Sequence, residues 1–345
     1  MRTEYKIFSE NYLSGRVYVF NRLLVLPAIL LAGVMALFAE DSQAADIDPY
    51  AVTVPESSIF DAMDGSRAYL STKVVSYSKR IDEFFGDERN FQENNNSVIQ
   101  IDLTEKLETG GNRTFGFEGQ AKLDLPAASK RFQFVLESNP EQRTAGEVNK
   151  DQPEAAKTVG APSSYAASLR YVKTEESQWH FSSEAGIKLQ FPLDPFVRLR
   201  GSYTVPLGLW RLKMAETLFW FNTIGSGETT QFDFERVLSK PVLFRATSTA
   251  TCLVLTETCD LRQDFSIFHT LNERTALVYQ ASVIGTNNPK VEETAYVLLM
   301  RYRYRLHKDW LFFEVTPQLN FPKTDDFNLN ALLLFRLEML FGAPQ

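Results

Sequence analysis

From residue 97 to the end of this chain, polar and apolar residues alternate almost one for one. In TFGFEGQAKLDLP, an extended backbone puts Phe115, Phe117, Ala121, Leu123 and Leu125 on one face and Glu118, Gln120, Lys122 and Asp124 on the other. WHFSSEAGIKLQF sets Trp179, Phe181, Ala185, Ile187, Leu189 and Phe191 against His180, Ser182, Glu184, Lys188 and Gln190. LFFEVTPQLNF opposes Leu311, Phe313, Val315, Leu319 and Phe321 to Glu314, Thr316, Gln318 and Asn320. MRYRYRL interleaves Arg301, Arg303 and Arg305 with Met300, Tyr302, Tyr304 and Leu306. A helix would scatter those arginines around its circumference, whereas a strand, with its period of two, gathers them on one face.

The pattern predicts strands at 97–107, 113–125, 130–138, 163–173, 177–191, 194–206 and 208–222. It continues at 228–238, 241–253, 259–271, 273–285, 293–306, 309–321 and 326–341. The last would set Phe327, Leu329, Ala331, Leu333, Phe335, Leu337, Met339 and Phe341 against Asn328, Asn330, Arg336 and Glu338. That makes about fourteen strands, with twelve as the alternative. An even number suits a closed up-and-down barrel. Most strands run 11 to 16 residues, longer than those of a common β-sandwich and long enough for a tilted membrane crossing. Aromatics cluster near strand ends (Tyr171, Trp179, Phe191, Tyr203, Trp210, Trp220, Phe321, Phe341), where an interfacial girdle sits. The expected fold class is all-β, a transmembrane antiparallel up-and-down β-barrel over 97–345. With both termini periplasmic, the long 139–162 connection, the Cys252/Cys259 tip and TNNPKVEE fall on the extracellular side.

Upstream the pattern changes. Residues 57–86 follow the helical period, with Leu70, Val74, Tyr77, Ile81 and Phe84 on one stripe and Gly86 as a stop. The 45–96 region is then a leader, this helix and a polar linker. Arg2, Lys6, Arg16 and Arg22 precede a 16-residue apolar run at 23–38, followed by Ser42-Gln43-Ala44. This is the layout of a secretory signal peptide at 1–44, cut after Ala44, so the mature chain is expected to be exported to the cell outer membrane.

Composition narrows the chemistry. A net charge of −7 gives no support for nucleic-acid binding. Beyond the signal no apolar stretch is long enough for a membrane helix, a test that barrels escape. Cys252 and Cys259 are seven residues apart and are expected to form a disulfide at a hairpin tip. His180, His269 and His307 are scattered, and no metal cluster, phosphate loop or cofactor fingerprint is present, so no cofactor is implied.

The final stretch, LNALLLFRLEMLF, resembles the carboxy-terminal signal of Gram-negative outer-membrane β-barrel proteins, although Gly342-Ala343-Pro344-Gln345 follow its terminal aromatic. RYRYRLHKDWLFFEV and RLEMLFG resemble stretches of gammaproteobacterial envelope barrel proteins that have no assigned activity. The resemblance implies class and location but no catalytic residue. Outer-membrane lipid, lipopolysaccharide and the barrel-assembly machinery are the partners it implies. The 57–86 helix adds a candidate site for a periplasmic partner.

In a membrane barrel the solvents are reversed. Tyr302 and Tyr304 would meet lipid, and Arg301, Arg303 and Arg305 would face the lumen, because guanidinium groups facing hydrocarbon are costly. The same parity sends inward Lys122, Arg131, Arg170, Lys188, Arg198, Arg200, Arg211, Lys213, Arg245 and Arg336. It also sends inward Glu118, Asp124, Glu137, Glu184, Asp233, Glu235, Glu314 and Glu338, leaving a basic surplus of about five. The hairpin after 293–306 offers Glu314 as its only inward carboxylate, so the arginines are expected to reach Glu338 or carboxylates across the lumen, or to stay in water.

Three functions fit. The lumen is a narrow channel or passive transporter whose basic excess favours anions. Alternatively, paired charges fill a closed barrel that acts as a structural or partner-binding protein, with the 57–86 helix as plug or periplasmic extension. The third is lipid hydrolysis: His180, Ser182 and Glu184 share one strand face and resemble lipid A deacylase barrels in the His-x-Ser spacing alone. Residues two apart on a strand stand nearly 7 Å apart, too far for a direct proton relay. Hydrolysis lost in Ser182→Ala would establish it.

Overall fold

The computed structural model describes residues 97–125, 131–140, 164–174, 178–287, 290–308 and 310–342, together with Phe84. The expected signal peptide and leader lie outside the described residues. So does the 57–86 helix, except for Phe84, which is helical.

Among the described residues there are fourteen strands. The first seven are β1 (Val98–Glu108), β2 (Arg113–Asp124), β3 (Phe132–Ser138), β4 (Tyr165–Thr174), β5 (Trp179–Lys188), β6 (Asp194–Leu207) and β7 (Trp210–Phe221). The others are β8 (Gly225–Ser239), β9 (Val242–Leu253), β10 (Thr258–Asn272), β11 (Thr275–Thr286), β12 (Glu292–His307), β13 (Leu311–Pro322) and β14 (Asn330–Phe341). Each pairs antiparallel with its neighbours in the chain, and β1 pairs with β14 from Ile99 opposite Phe341 to Glu108 opposite Leu332. The sheet therefore closes and leaves no edge whose backbone groups would lack partners in lipid. Val98 and Phe341 lie at one end of the barrel, the terminal rim. The connection from β3 to β4 and the β9–β10 tip lie at the other, the far rim.

Two strand ends differ from the expected pattern. β5 stops at Lys188, and residues 189–193 bend before β6, leaving Phe191 fully exposed. The stretch before β14 is a turn: Lys323–Asp325 form a 3-10 turn, and Asp326 and Phe327 take positive φ of 49° and 57°. Phe327 and Leu329 thus belong to this turn and not to the wall.

The wall is inside out by the standards of a water-soluble protein. Phe115, Phe117, Leu199, Leu218, Trp220, Leu298 and Leu319 are exposed on its outer face. On the inner side, eleven basic and nine acidic side chains are buried. An apolar outer band on a closed barrel needs hydrocarbon around it. Aromatic pairs ring the terminal rim, Trp179 stacked on Tyr203 at 4.3 Å, Trp210 on Phe234 at 4.3 Å and Trp310 on Phe341 at 5.9 Å, at the level of a lipid headgroup girdle. The protein is an outer-membrane β-barrel.

Two apolar clusters lie inside the barrel. Leu243, Phe268, Ala276 and Val278 pack together towards the terminal rim, and Ala166, Phe196, Phe219 and Phe221 towards the far rim. Charged and amide side chains occupy the wall between them.

Candidate functional site: the inner wall

The strand period places charges on the inner face, and the register decides which of them meet. Arg303 on β12 lies opposite Glu314 on β13, which lies opposite Arg336 on β14. Arg303 donates to Glu314 at 2.6 Å and to Glu338 at 2.5 Å. Arg336 reaches Glu314 at 2.9 Å, Glu338 at 2.7 Å and Asp102 on β1 at 3.8 Å. Gln100 donates to Asp102 and Glu338 at 2.9 and 3.1 Å, and Gln120 donates to Gln100 at 2.7 Å. One hydrogen-bonded band therefore runs from β12 across the closure seam to β2.

A second band spans β3 to β6. Glu184 accepts from Arg170 at 2.8 Å and from Arg198 at 2.7 Å, and Ser168 donates to it as well. Arg198 also pairs with Glu137. A third joins β7, β8 and β9, where Glu235 pairs with Arg211 and, at 2.6 Å, with Arg245, while Thr247 donates to Asp233 at 2.7 Å. On β10, Arg262 pairs with Asp264 at 2.8 Å. Lys188 pairs with Asp194 at 2.9 Å, and Asp194 accepts from the Thr223 hydroxyl at 2.6 Å, tying β5 to β6 and to the β7–β8 connection.

Of the residues expected inside, Lys122, Glu184, Lys188, Arg198, Arg200, Arg303, Glu314 and Glu338 are buried, and Glu118, Arg301, Arg305 and Arg336 are partly buried. One expectation is corrected. Arg131 precedes β3, is exposed, and donates to the Tyr171 hydroxyl at 3.4 Å, because the strand ends before its parity can act. Of the alternatives open to the β12 arginines, Arg303 takes the expected one and reaches Glu338, in addition to Glu314. Each of these ion pairs joins strands no more than three apart around the wall, and none spans the interior.

Asp102, Lys106, Asp194, Arg262 and Asp264 are buried on the inner side as well, and the sequence reading had not placed them there. In IQIDLTEKL the alternation that could have found Asp102 and Lys106 is clear. On β10 both faces carry polar residues, so parity there is ambiguous. Asp194 sits in PLDP, which reads as a turn but supplies the first residue of β6.

Phe84 is placed inside the barrel. It packs on the Leu243/Phe268/Ala276/Val278 cluster, and its ring meets Phe312 edge-on at 5.9 Å between centroids. The Arg303 and Arg305 guanidinium groups lie 5.9 and 5.4 Å from its centre, within cation–π range. Two cations and an aromatic floor thus hold one ring of the upstream segment.

His180 is partly buried and Ser182 buried, and the Glu184 carboxylate between Arg170 and Arg198 is turned towards cations. At the far rim, Cys252 and Cys259 are directly opposite in the β9–β10 register, 4.1 Å apart at Cα, and form a disulfide.

No protein-family model and no curated relative matches the sequence. Solved structures of similar architecture include the NanC porin (9% identity, TM-score 0.37, covering 69% of this chain and 98% of that one). The outer membrane channel DcaP of Acinetobacter baumannii is similar at 7% identity and TM-score 0.42, covering 71% and 96%. OmpT of Vibrio cholerae is similar at 10% and 0.43, covering 71% and 97%. At these values the likeness is one of general architecture, and any function has to come from this chain's own side chains.

Proposed function

We propose that the protein is an outer-membrane channel for small anionic solutes, held shut at rest by its own N-terminal segment. The observation that carries this reading is the seat of Phe84 inside the wall. Eight strands enclose a space that wall side chains just fill, and larger barrels enclose more. The ion pairs of the fourteen-stranded wall join strands no more than three apart, and so hold the wall together without crossing the interior. An occupant belonging to a separate segment is able to leave. The wall it would uncover carries a basic surplus, which favours anions. A periplasmic partner of residues 57–86 would supply a means of withdrawal.

A second reading draws on the complete burial of Arg303 and Glu338: a permanently filled barrel acting as an envelope structural or partner-binding protein. Conductance in a planar bilayer separates the two. The expected result is rare opening of the mature chain and stable, anion-selective steps from a chain lacking residues 45–96. Silence from both, with folding verified by heat-modifiable migration on a gel, would favour the filled barrel.

A further inference from the structure

Most of the outer wall is apolar. The outward residues of β12 include Tyr296, Leu298, Met300 and Tyr302, and those of β14 run from Ala331 through Leu333, Phe335 and Leu337 to Met339. The face over β7 to β10 differs. Alternation with buried inner residues turns Glu216, Glu228, Thr230, Ser248 and Gln263 outward. Register makes them contiguous: Glu216 lies opposite Thr230, Thr230 opposite Ala250, and Ser248 opposite Gln263. The Thr230 hydroxyl donates to Glu216 at 2.8 Å and the Ser248 hydroxyl to Gln263 at 2.5 Å. Glu216, Thr230, Ser248 and Gln263 lie mid-strand, where a carboxylate or amide facing lipid is unfavourable and marks a functional contact, and Glu228, opposite Cys252, lies towards the far rim. The relief is low as well. A Cβ added to Gly201, opposite Glu216, would meet open space, and Ala246 and Ala250 line the patch on β9. Small residues beside hydrogen-bonding ones are the composition of contacts between membrane segments.

We propose that this face docks a second copy of the chain in a two-fold contact within the membrane. The patch is its own complement: the Glu216 and Glu228 carboxylates accept, and the Gln263 amide, with one hydrogen on the Asp264 carbonyl at 3.2 Å, has a second to donate, while the Thr230 and Ser248 hydroxyls are used within the chain. A two-fold axis reverses the strand order across the contact, so the acidic β7–β8 side of one copy meets the amide-bearing β10 side of the other. Among the described residues no outward Lys or Arg lies mid-strand elsewhere on the wall. A head-to-tail ring would therefore set the glutamates against an apolar face, and lipid tails offer no donor. The proposal holds whether or not the lumen conducts.

The test counts subunits of the full chain in liposomes by single-molecule photobleaching, and crosslinks copies through single cysteines in a Cys252→Ser/Cys259→Ser background. Two subunits are expected. Ala250→Cys, near the axis, should crosslink to itself, and Leu298→Cys on the apolar face should not. Glu216→Leu combined with Gln263→Leu should lower the dimer fraction at least tenfold while heat-modifiable migration shows the barrel folded. Monomers at every protein-to-lipid ratio, rings of three, equal crosslinking at residue 298, or capture of a different protein at residue 250 would each overturn the proposal.

Discussion

Strands β12 and β7 share one alternation and differ at one position. On β12 the charges Arg301, Arg303 and Arg305 turn inward, and the lipid face from Tyr296 to Tyr304 is apolar. On β7, Arg211 and Lys213 turn inward in the same way, yet Glu216 turns outward between Met214 and Leu218. The surroundings of the two kinds of charge are what differ. Arg303 has no solvent exposure and meets Glu314 and Glu338, supplied by the next two strands. Glu216 has a single hydroxyl from Thr230. An inward charge finds its counter-charge within the wall, so burial and pairing arrive together. An outward charge has only lipid or another protein beyond it.

The largest effect expected from breaking this comparison is on the inner side. Arg303→Ala leaves Glu314 and Glu338 buried with Arg336 as their remaining shared cation. Removing one partner from a buried ionic network costs about 3 to 5 kcal/mol, so the urea midpoint for loss of the heat-modifiable folded band should fall clearly. An unchanged midpoint would mean that the band from β12 to β14 does not support the wall. This burial also makes Arg303→Glu a poor probe of selectivity. The substitution would add a carboxylate to two others and disturb assembly whether or not the lumen conducts. Arg301, only partly buried, is the better place to reverse a charge and read ion selectivity.

The wall was legible in the sequence because burial on one side and lipid on the other impose a period of two, which survives wherever one face is purely apolar. RYRYRL and LFFEVTPQLNF are such places. Legibility failed where both faces carry polar groups, as in β10, and where a strand end looks like a turn, as at Asp194 and at Phe327. The ion pairs needed the register, which alternation alone does not supply: nothing local to Arg303 indicates that Glu338, 35 residues on, lies two strands away. The seat of Phe84 was not legible either, since a helical stripe records that one face is apolar and not what covers it. Glu216 is a different case. The parity that sends Arg211 and Lys213 inward already sends it out.

An intermediate effect is expected at the far rim. Changing both Cys252 and Cys259 to Ser opens a small covalent loop, for which chain entropy gives about 2 kcal/mol. The β9–β10 register continues for ten further residue pairs towards the terminal rim, so the barrel should still close, and the loss should appear as a modestly lower urea midpoint. A barrel that no longer assembles without the bond would show that the tip directs closure.

The smallest effects test the outer faces against each other. Met300→Glu on β12 places a carboxylate on the lipid face with only apolar outward neighbours, Tyr279 in the β11 register among them. Carboxylates on a barrel's lipid face cost less than the roughly 2 to 4 kcal/mol of a midplane Lys or Arg, so a loss of about 1 to 2 kcal/mol is expected. Glu216→Leu on β7 removes such a group. In dilute detergent, where copies are apart, it should leave the urea midpoint unchanged or raise it by under about 1 kcal/mol, because the only bond it forfeits is the one from Thr230. Opposite signs at these two positions would establish that the β7–β10 face carries a cost in the isolated barrel that the β12 face does not. If Glu216→Leu instead destabilises the separated barrel as much as Met300→Glu does, Glu216 serves the wall itself through Thr230, and the contrast between the two faces fails.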